Sequence, residues 1–213
     1  MADGWTGCRF SPSSLWLALS IGQNSLKQVE RPSAIEFGCG VALAGLAAHA
    51  VGYDTTLTDC LPGHLANLTA HATRLRRTPS LEVFCLDWIA DVGKNACDID
   101  TGSPENLAAL ENGKPSGPSW QSIPQEKLRS FDLVVYEPHH AVLLPLVIER
   151  WLKPGGWLAV SLAIRDEAIC CRFLEQLDAC GLLSYTERLG SLPFGRALAI
   201  GNPTATETLL FPT

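Results

Sequence analysis

Acidic residues and glycines are combined in one short stretch of the chain. The sequence AIEFGCGVA, residues 34–42, places Glu36 directly before a turn that contains Gly38 and Gly40. The apolar residues around Glu36 are typical of a buried strand, and the glycines allow a tight turn and a close approach between backbone and ligand. The alanine-rich segment that follows is typical of a helix start. This arrangement predicts a site for a nucleoside cofactor.

The spacing after Gly40 separates three kinds of cofactor site. A dinucleotide motif needs a small residue three positions after its second glycine, where this chain has Leu43. A P-loop needs Lys and then Ser or Thr after its last glycine, but Gly45 is followed by Leu46 and Ala47. An acid before the turn is a poor neighbour for a pyrophosphate and a good one for a cationic amino group. S-adenosylmethionine, which carries an ammonium and a sulfonium, fits this pattern best.

A second acid, Asp59, ends the next predicted strand about 20 residues past the turn. An acid at this place can accept hydrogen bonds from both ribose hydroxyls of a nucleoside. The alternative is a turn or N-cap role for the helix that begins near Pro62, and one residue can fill both roles.

A third acid, Asp87, follows the third predicted strand and is followed by Trp88. Asp87 could accept a hydrogen bond from the adenine amino group, and Trp88 could lie against the base or fill the rim of the sheet. Because the carboxyl ends of parallel strands meet at one edge, the three acids are expected to lie together where open α/β sheets bind ligands.

With these motifs in this order, the chain resembles the seven-strand S-adenosylmethionine-dependent methyltransferases of the methyltransferase-like 21/22/23 group, many of which methylate protein lysines. The resembling segments span nearly the whole chain. They are Thr6–Leu15, Ile35–Gly40, Leu57–Asp59, Asn67–Leu68, Leu86–Trp88, Phe131–Val134, Leu152–Gly156, Arg165 and Phe173–Leu174.

The resemblance implies an enzyme that transfers a methyl group from S-adenosylmethionine to a protein lysine side chain. It places Phe10, where the family has tryptophan, among the cofactor-binding residues. The implied cofactor-binding set is Phe10, Glu36, Gly38, Gly40, Asp59, Asp87 and Trp88, and the implied catalytic set is Glu137, Tyr136 and His140. The family's Asp-x-x-Tyr after strand four is matched either by Glu137 to His140 or by a shortened segment that ends at Tyr136. Two other functions stay open: methylation of a protein histidine or a small molecule, and an inactive methyltransferase-like interaction module.

Composition predicts a single soluble domain over residues 1–213, with 46% apolar residues and a formal charge of −6. This charge argues against nucleic-acid binding, since the basic cluster around Arg74 is explained as a helix end. The eight cysteines lack metal or disulfide spacing and indicate reduced thiols in an intracellular protein, cytoplasmic or nuclear. We expect no metal, no membrane span and no export signal, and we expect a monomer that acts on a protein substrate.

Alternating elements predict an α/β fold, a three-layer Rossmann-like sheet of seven strands with a C-terminal antiparallel hairpin. The helix 12–23 is expected to pack on the sheet through Leu15, Leu19 and Ile21. An irregular insertion is predicted at about 91–130, either poorly ordered or a substrate-recognition loop that uses Trp120. The predicted strands are 33–37, 54–58, 81–86, 131–136, 157–163, 182–189 and 196–200, with 208–211 as an added or replacement strand; the other predicted helices are 43–51, 63–76, 141–152 and 166–180.

Overall fold

The computed structural model describes residues 12–23, 30–75, 79–92, 120–136, 143–163, 167–182, 185–188 and 206–212. Strands and helices alternate through most of these ranges, as the sequence predicts. The elements are α1 (Pro12–Gln23), β1 (Ser33–Phe37), α2 (Leu43–Ala50), β2 (Asp54–Asp59), α3 (Pro62–Arg74), β3 (Leu81–Cys85), α4 (Trp88–Val92), a 3-10 turn (Gln125–Lys127), β4 (Phe131–Tyr136), α5 (Leu143–Trp151), β5 (Leu152–Ala163), α6 (Glu167–Ala179), β6 (Tyr185–Arg188) and β7 (Thr206–Pro212).

The strands form one seven-stranded sheet in the order β3-β2-β1-β4-β5-β7-β6. Strands β1 to β5 pair in parallel, and β7 pairs antiparallel with both β5 and β6. The expected parallel sheet with a C-terminal antiparallel pair is confirmed. The second strand of that pair is residues 206–212, so the segment 208–211 belongs to it, whereas the predicted strand 196–200 lies outside the described residues.

Alternate residues of the central strands pack against helices on opposite faces of the sheet. On one face, Ala34 of β1 and Leu133 of β4 pack with α1 and α2. On the other, Ile35 and Phe37 of β1 join the core formed with α5 and α6. The result is the expected three-layer arrangement.

Helix α1 has the predicted bounds, but its buried face differs from the predicted one. Leu17 and Ile21, one helical turn apart, are buried against α2 and the sheet. Leu15 is only half-buried, and Leu19 is 38% exposed. The expectation that Leu19 faces the sheet is therefore wrong, because its position on the helix turns it away from the Leu17–Ile21 stripe.

Both described flanks of the predicted insertion are anchored, although residues 93–119 lie outside the described ranges. On the first flank, Asp91 of α4 accepts a hydrogen bond from the Trp151 indole at 2.9 Å and forms an ion pair with Arg150. On the second flank, the Gln125 side chain accepts a hydrogen bond from Arg150, and residues near Ser122 pair with the end of β3. Helix α5 thus holds both flanks.

Helix α6 ends as the sequence predicts, with Gly181 just past its last turn. The Gly181 N–H donates to the Asp178 carbonyl, and the Leu182 N–H donates to the Leu177 carbonyl. Gly181 has a φ of +75°, and Leu177 and Leu182 are both buried. These bonds form a Schellman motif, which explains why glycine occupies this position.

Candidate functional site

The glycine turn between β1 and α2 alternates through the left-handed region of backbone space. The φ angles of Gly38, Gly40 and Ala42 are +57°, +50° and +57°. This conformation suits glycine and is strained for Ala42, whose side chain is fully buried. The Cys39 N–H donates to the Thr58 carbonyl at 2.9 Å, which ties the turn to β2.

The carboxylate of Glu36 caps helix α2 from the neighbouring strand. It is 7% exposed, and Oε2 accepts a hydrogen bond from the Gly45 N–H at 2.9 Å. Since the N-cap residue Ala42 offers no side-chain acceptor, this bond satisfies one of the amides that a helix start leaves unpaired. Glu36 therefore has a structural partner in addition to the cofactor role that the sequence predicts.

Gly45 is a residue of this site that the sequence analysis missed. A Cβ atom there would lie 2.5 Å from both Glu36 Oε2 and Leu57 Cδ2, so only glycine lets α2 approach β1 and β2 this closely. Its sequence signal is a glycine inside an alanine-rich helix, where a packing reason is the usual explanation.

Asp59, at the end of β2, accepts three hydrogen bonds from the protein. Oδ2 accepts one from the Gly40 N–H at 3.0 Å and one from His64 Nδ1 at 3.1 Å, and Oδ1 accepts one from the Leu61 N–H at 2.9 Å. The bond to Leu61 is the turn role that the sequence left open. Asp59 is 6% exposed, and its carboxylate links the glycine turn to the start of α3.

Asp87 and Trp88 lie where β3 ends. Asp87 is exposed, and its Oδ1 accepts a bond from the Ala90 N–H at 3.3 Å, a weak cap for α4. The indole ring of Trp88 lies over the glycine turn, because its Cζ2 and Cη2 atoms are 3.0 and 3.2 Å from the position that a Cβ of Gly38 would take. The fold thus brings together two predicted site residues that are far apart in the chain.

Burial and the negative field of these carboxylates together raise the pKa of two thiols at this edge. Burial raises the pKa of the Cys39 thiol well above its usual value, and the charges of Glu36 and Asp59 raise it further. Burial and the charges of Asp59 and Asp87 raise the pKa of Cys60 to about 11. A cationic ligand is favoured in such a field, and an anionic one is disfavoured.

No family model and no curated protein matches the chain, but solved structures with the same fold do. The chain is similar to the ribosomal protein L11 methylase of Lactobacillus delbrueckii subsp. bulgaricus, with 14% identity, a TM-score of 0.56 and coverage of 94% of this chain and 79% of that one. A second similar structure is the geranyl diphosphate C-methyltransferase of Streptomyces coelicolor A3(2), solved with S-adenosyl-L-homocysteine. It is 10% identical, with a TM-score of 0.58, and the match covers 92% of this chain and 77% of that one. The [4+2]-cyclase SpnF is 15% identical to this chain, with a TM-score of 0.58, and the match covers 94% of this chain and 80% of SpnF.

This chain has the Rossmann-like methyltransferase fold. In open α/β sheets of this kind, ligands bind beyond the carboxyl ends of the strands at the point where the strand order reverses. That point lies here between β1 and β4, where Phe37 is in register with Tyr136. The glycine turn follows β1 directly at this point.

Of the predicted catalytic residues, the structure describes Tyr136 alone, at the carboxyl end of β4 on the same edge of the sheet. Tyr136 is the last residue of β4, and its backbone lies between Phe37 and Val160. Glu137 and His140 lie outside the described residues, and so does Phe10. Their roles stay predictions. Within the described ranges, no group of three or more His, Cys, Asp and Glu side chains is placed to hold a metal ion, and no helix is long and apolar enough to cross a membrane.

Proposed function

We propose that the chain is an S-adenosylmethionine-dependent methyltransferase that methylates a lysine side chain of a protein. The observation that supports this most is the edge of the sheet at β1, β2 and β3. There Asp59 bonds to the positive-φ glycine turn, Glu36 bonds to the start of the helix that follows the turn, and Trp88, next to Asp87, lies over Gly38. The negative field of these carboxylates suits a ligand with a sulfonium and an ammonium group.

The residues present fit such a cofactor. Gly38 and Gly40 would allow its methionine part to approach the backbone, Asp59 would accept from the ribose, and Asp87 with Trp88 would bind the adenine. The cofactor, when bound, supplies an activated methyl group on its sulfonium.

The protein's own contribution to transfer is position and a dry pocket for the acceptor amine. In this proposal Glu137 holds the incoming ammonium and takes its proton, while Tyr136 and His140 shape the channel to the methyl group. The choice of lysine as the acceptor rests on the sequence resemblance to lysine methyltransferases, because the structural neighbours are named for different substrates, a ribosomal protein and geranyl diphosphate.

Two experiments test the proposal. Calorimetry with S-adenosylmethionine and S-adenosylhomocysteine should detect binding, and absence of binding by the folded protein would refute it. Incubation with a labelled methyl donor and cell lysate, followed by identification of the labelled residue, should give methyl-lysine. Label on histidine or on a small molecule would support the methyltransferase activity but refute lysine as the acceptor.

A second candidate, a fold of this type that does not transfer methyl groups, is favoured by one observation. Trp88 covers Gly38, and the Asp59 carboxylate already has three protein donors, so the turn is well satisfied by its own residues. This candidate predicts a folded protein without transfer activity towards any component of a lysate.

A further inference from the structure

His64 is a buried histidine in the first turn of α3, and the proposed function assigns it no role. It is 8% exposed, and its Nδ1 lies 3.1 Å from Asp59 Oδ2. In the tautomer that carries its proton on Nδ1, His64 donates this hydrogen bond to the carboxylate. The pair is shielded from water, since the side chains of His64 and Asp59 are 10% and 7% exposed.

The three bonds to Asp59 are distributed unequally between its two oxygens. Among the described residues, Oδ2 accepts from both Gly40 and His64, whereas Oδ1 accepts from Leu61 only. A carboxylate has about four acceptor positions, two on each oxygen. Gly40 and His64 therefore fill both acceptor positions of Oδ2, whereas Oδ1 has one position left for another donor.

We propose that His64 is a positioning residue, which holds the Asp59 carboxylate so that Oδ1 accepts a single ribose hydroxyl of the cofactor. This inference rests on the proposed function, because it assumes that an adenosyl cofactor binds at the glycine turn. Without the Nδ1 donor, Oδ2 keeps only its bond from Gly40, and the carboxylate is held by two backbone amides instead of three donors. The buried charge is then less well oriented towards the ribose.

A purely structural role for His64 makes a different prediction. Loss of a buried hydrogen bond to a carboxylate lowers stability whatever the ligand. Only the positioning role links His64 to one chemical group of the ligand. The ratio of affinities for S-adenosylhomocysteine and its 2′-deoxy and 3′-deoxy analogues measures that link, because a uniform loss of stability cancels in the ratio.

The test measures these three affinities by calorimetry for the full chain and its variants. The unmodified protein should prefer S-adenosylhomocysteine over one of the deoxy analogues by roughly tenfold or more, the usual effect of a hydrogen bond to a charged group. H64L should reduce this preference to about threefold or less. H64N should restore it, because its amide N–H lies near the place of Nδ1, and H71L, an exposed histidine on the same helix, should leave it unchanged.

Each other outcome counts against the inference. If H64L keeps the preference, or if the unmodified protein shows no preference for either hydroxyl, the positioning role is refuted while cofactor binding stands. If the folded protein does not bind S-adenosylhomocysteine, the proposed function fails and the inference fails with it. If H64L does not fold, H64N is compared with H64Q, whose donor lies one carbon further out, and equal preferences in these two refute the role.

Discussion

At the scale of single residues, the site depends on how closely helix α2 approaches the sheet. The Gly45 N–H bonds to Glu36, and a side chain at Gly45 would collide with both Glu36 and Leu57. This contact combines a cap, a buried charge and a tight backbone approach in one place. It fixes where the helix begins, and hence where the glycine turn must lie.

We expect G45A to destabilise the protein by about 1–3 kcal/mol, because a Cβ only 2.5 Å from two side-chain atoms forces the helix or its neighbours to move. This loss would exceed the gain of about 1 kcal/mol that alanine brings to a helix interior. Urea unfolding measures the net change in the free energy of unfolding. The matched control is G63A on α3, where a Cβ meets nothing within 4 Å, so it should be neutral or slightly stabilising. Equal effects of the two changes would argue against the close approach.

Another buried carboxylate, Asp132, lies at the opposite end of β4 from the site. It accepts hydrogen bonds from the Ser33 N–H and hydroxyl, both at 2.8 Å, and it pairs with Lys153. Burial acts to raise the pKa of Asp132, but the bonds from Lys153 and Ser33 outweigh it and hold the pKa below its usual value. The charged form is thus favoured by folding.

The pKa of Asp132 leads to a prediction about acid stability. Because the folded pKa is below the unfolded value of about 3.9, the stabilisation is fully present above that value and is lost as pH falls through the folded pKa. D132N should therefore be less stable than the unmodified protein by about 1.5–3 kcal/mol at pH 7. The difference should shrink below about pH 4. Urea unfolding across pH gives the result, and a difference that stays constant into acid would contradict it.

The sequence predicted which acidic residues lie at this edge of the sheet, but it did not predict which groups they hydrogen-bond to. Glu36, Asp59 and Asp87 lie at the strand ends where the strand periodicity places them. That Asp59 bonds Gly40 and His64 depends on how α3 packs, which residue types alone do not reveal. Gly45 was missed because its importance lies in a three-dimensional collision rather than in a motif.

At the scale of elements, the glycine at the end of α6 allows the energetic cost of a left-handed backbone conformation to be measured. Gly181 has a φ of +75°, and a Cβ there would meet nothing within 4 Å. We expect G181A to lower the free energy of unfolding by about 1 kcal/mol through backbone strain alone. G181N should lose less, since asparagine tolerates the left-handed region better. Thermal and urea unfolding would show the order, and a neutral G181A would contradict it.

Most element positions followed from local sequence, and the exceptions have physical causes. Strands β1 to β4 combine apolar residues with clear turn signals, so their bounds were predicted within a residue or two. The sequence placed the start of β5 at Trp157, but the strand begins at Leu152, because it pairs with Phe131 before a register shift. The partner of β6 could not be chosen from sequence, since several short apolar segments near the C-terminal end compete for one position in the sheet.

At the scale of the whole molecule, the residues on both sides of the segment 93–119 are anchored to helix α5. Arg150 contacts both Asp91 before it and Gln125 after it. Replacing residues 97–115 by a short Gly-Ser linker should change the free energy of unfolding by less than about 1 kcal/mol, because loop closure depends weakly on length. Urea unfolding of the two proteins tests this. A loss of several kcal/mol would show that the segment contributes packing of its own.

The sheet order has a consequence for synthesis of the chain. Among the described strands, β6 hydrogen-bonds only to β7, which follows it in the sequence and lies between it and β5. Strands β1 to β5 can pair as they emerge from the ribosome, but β6 has no place in the sheet until β7 has been made. During translation the edge of β5 is therefore exposed until β7 has been made, and it is a place where the nascent chain is open to wrong pairing or chaperone contact.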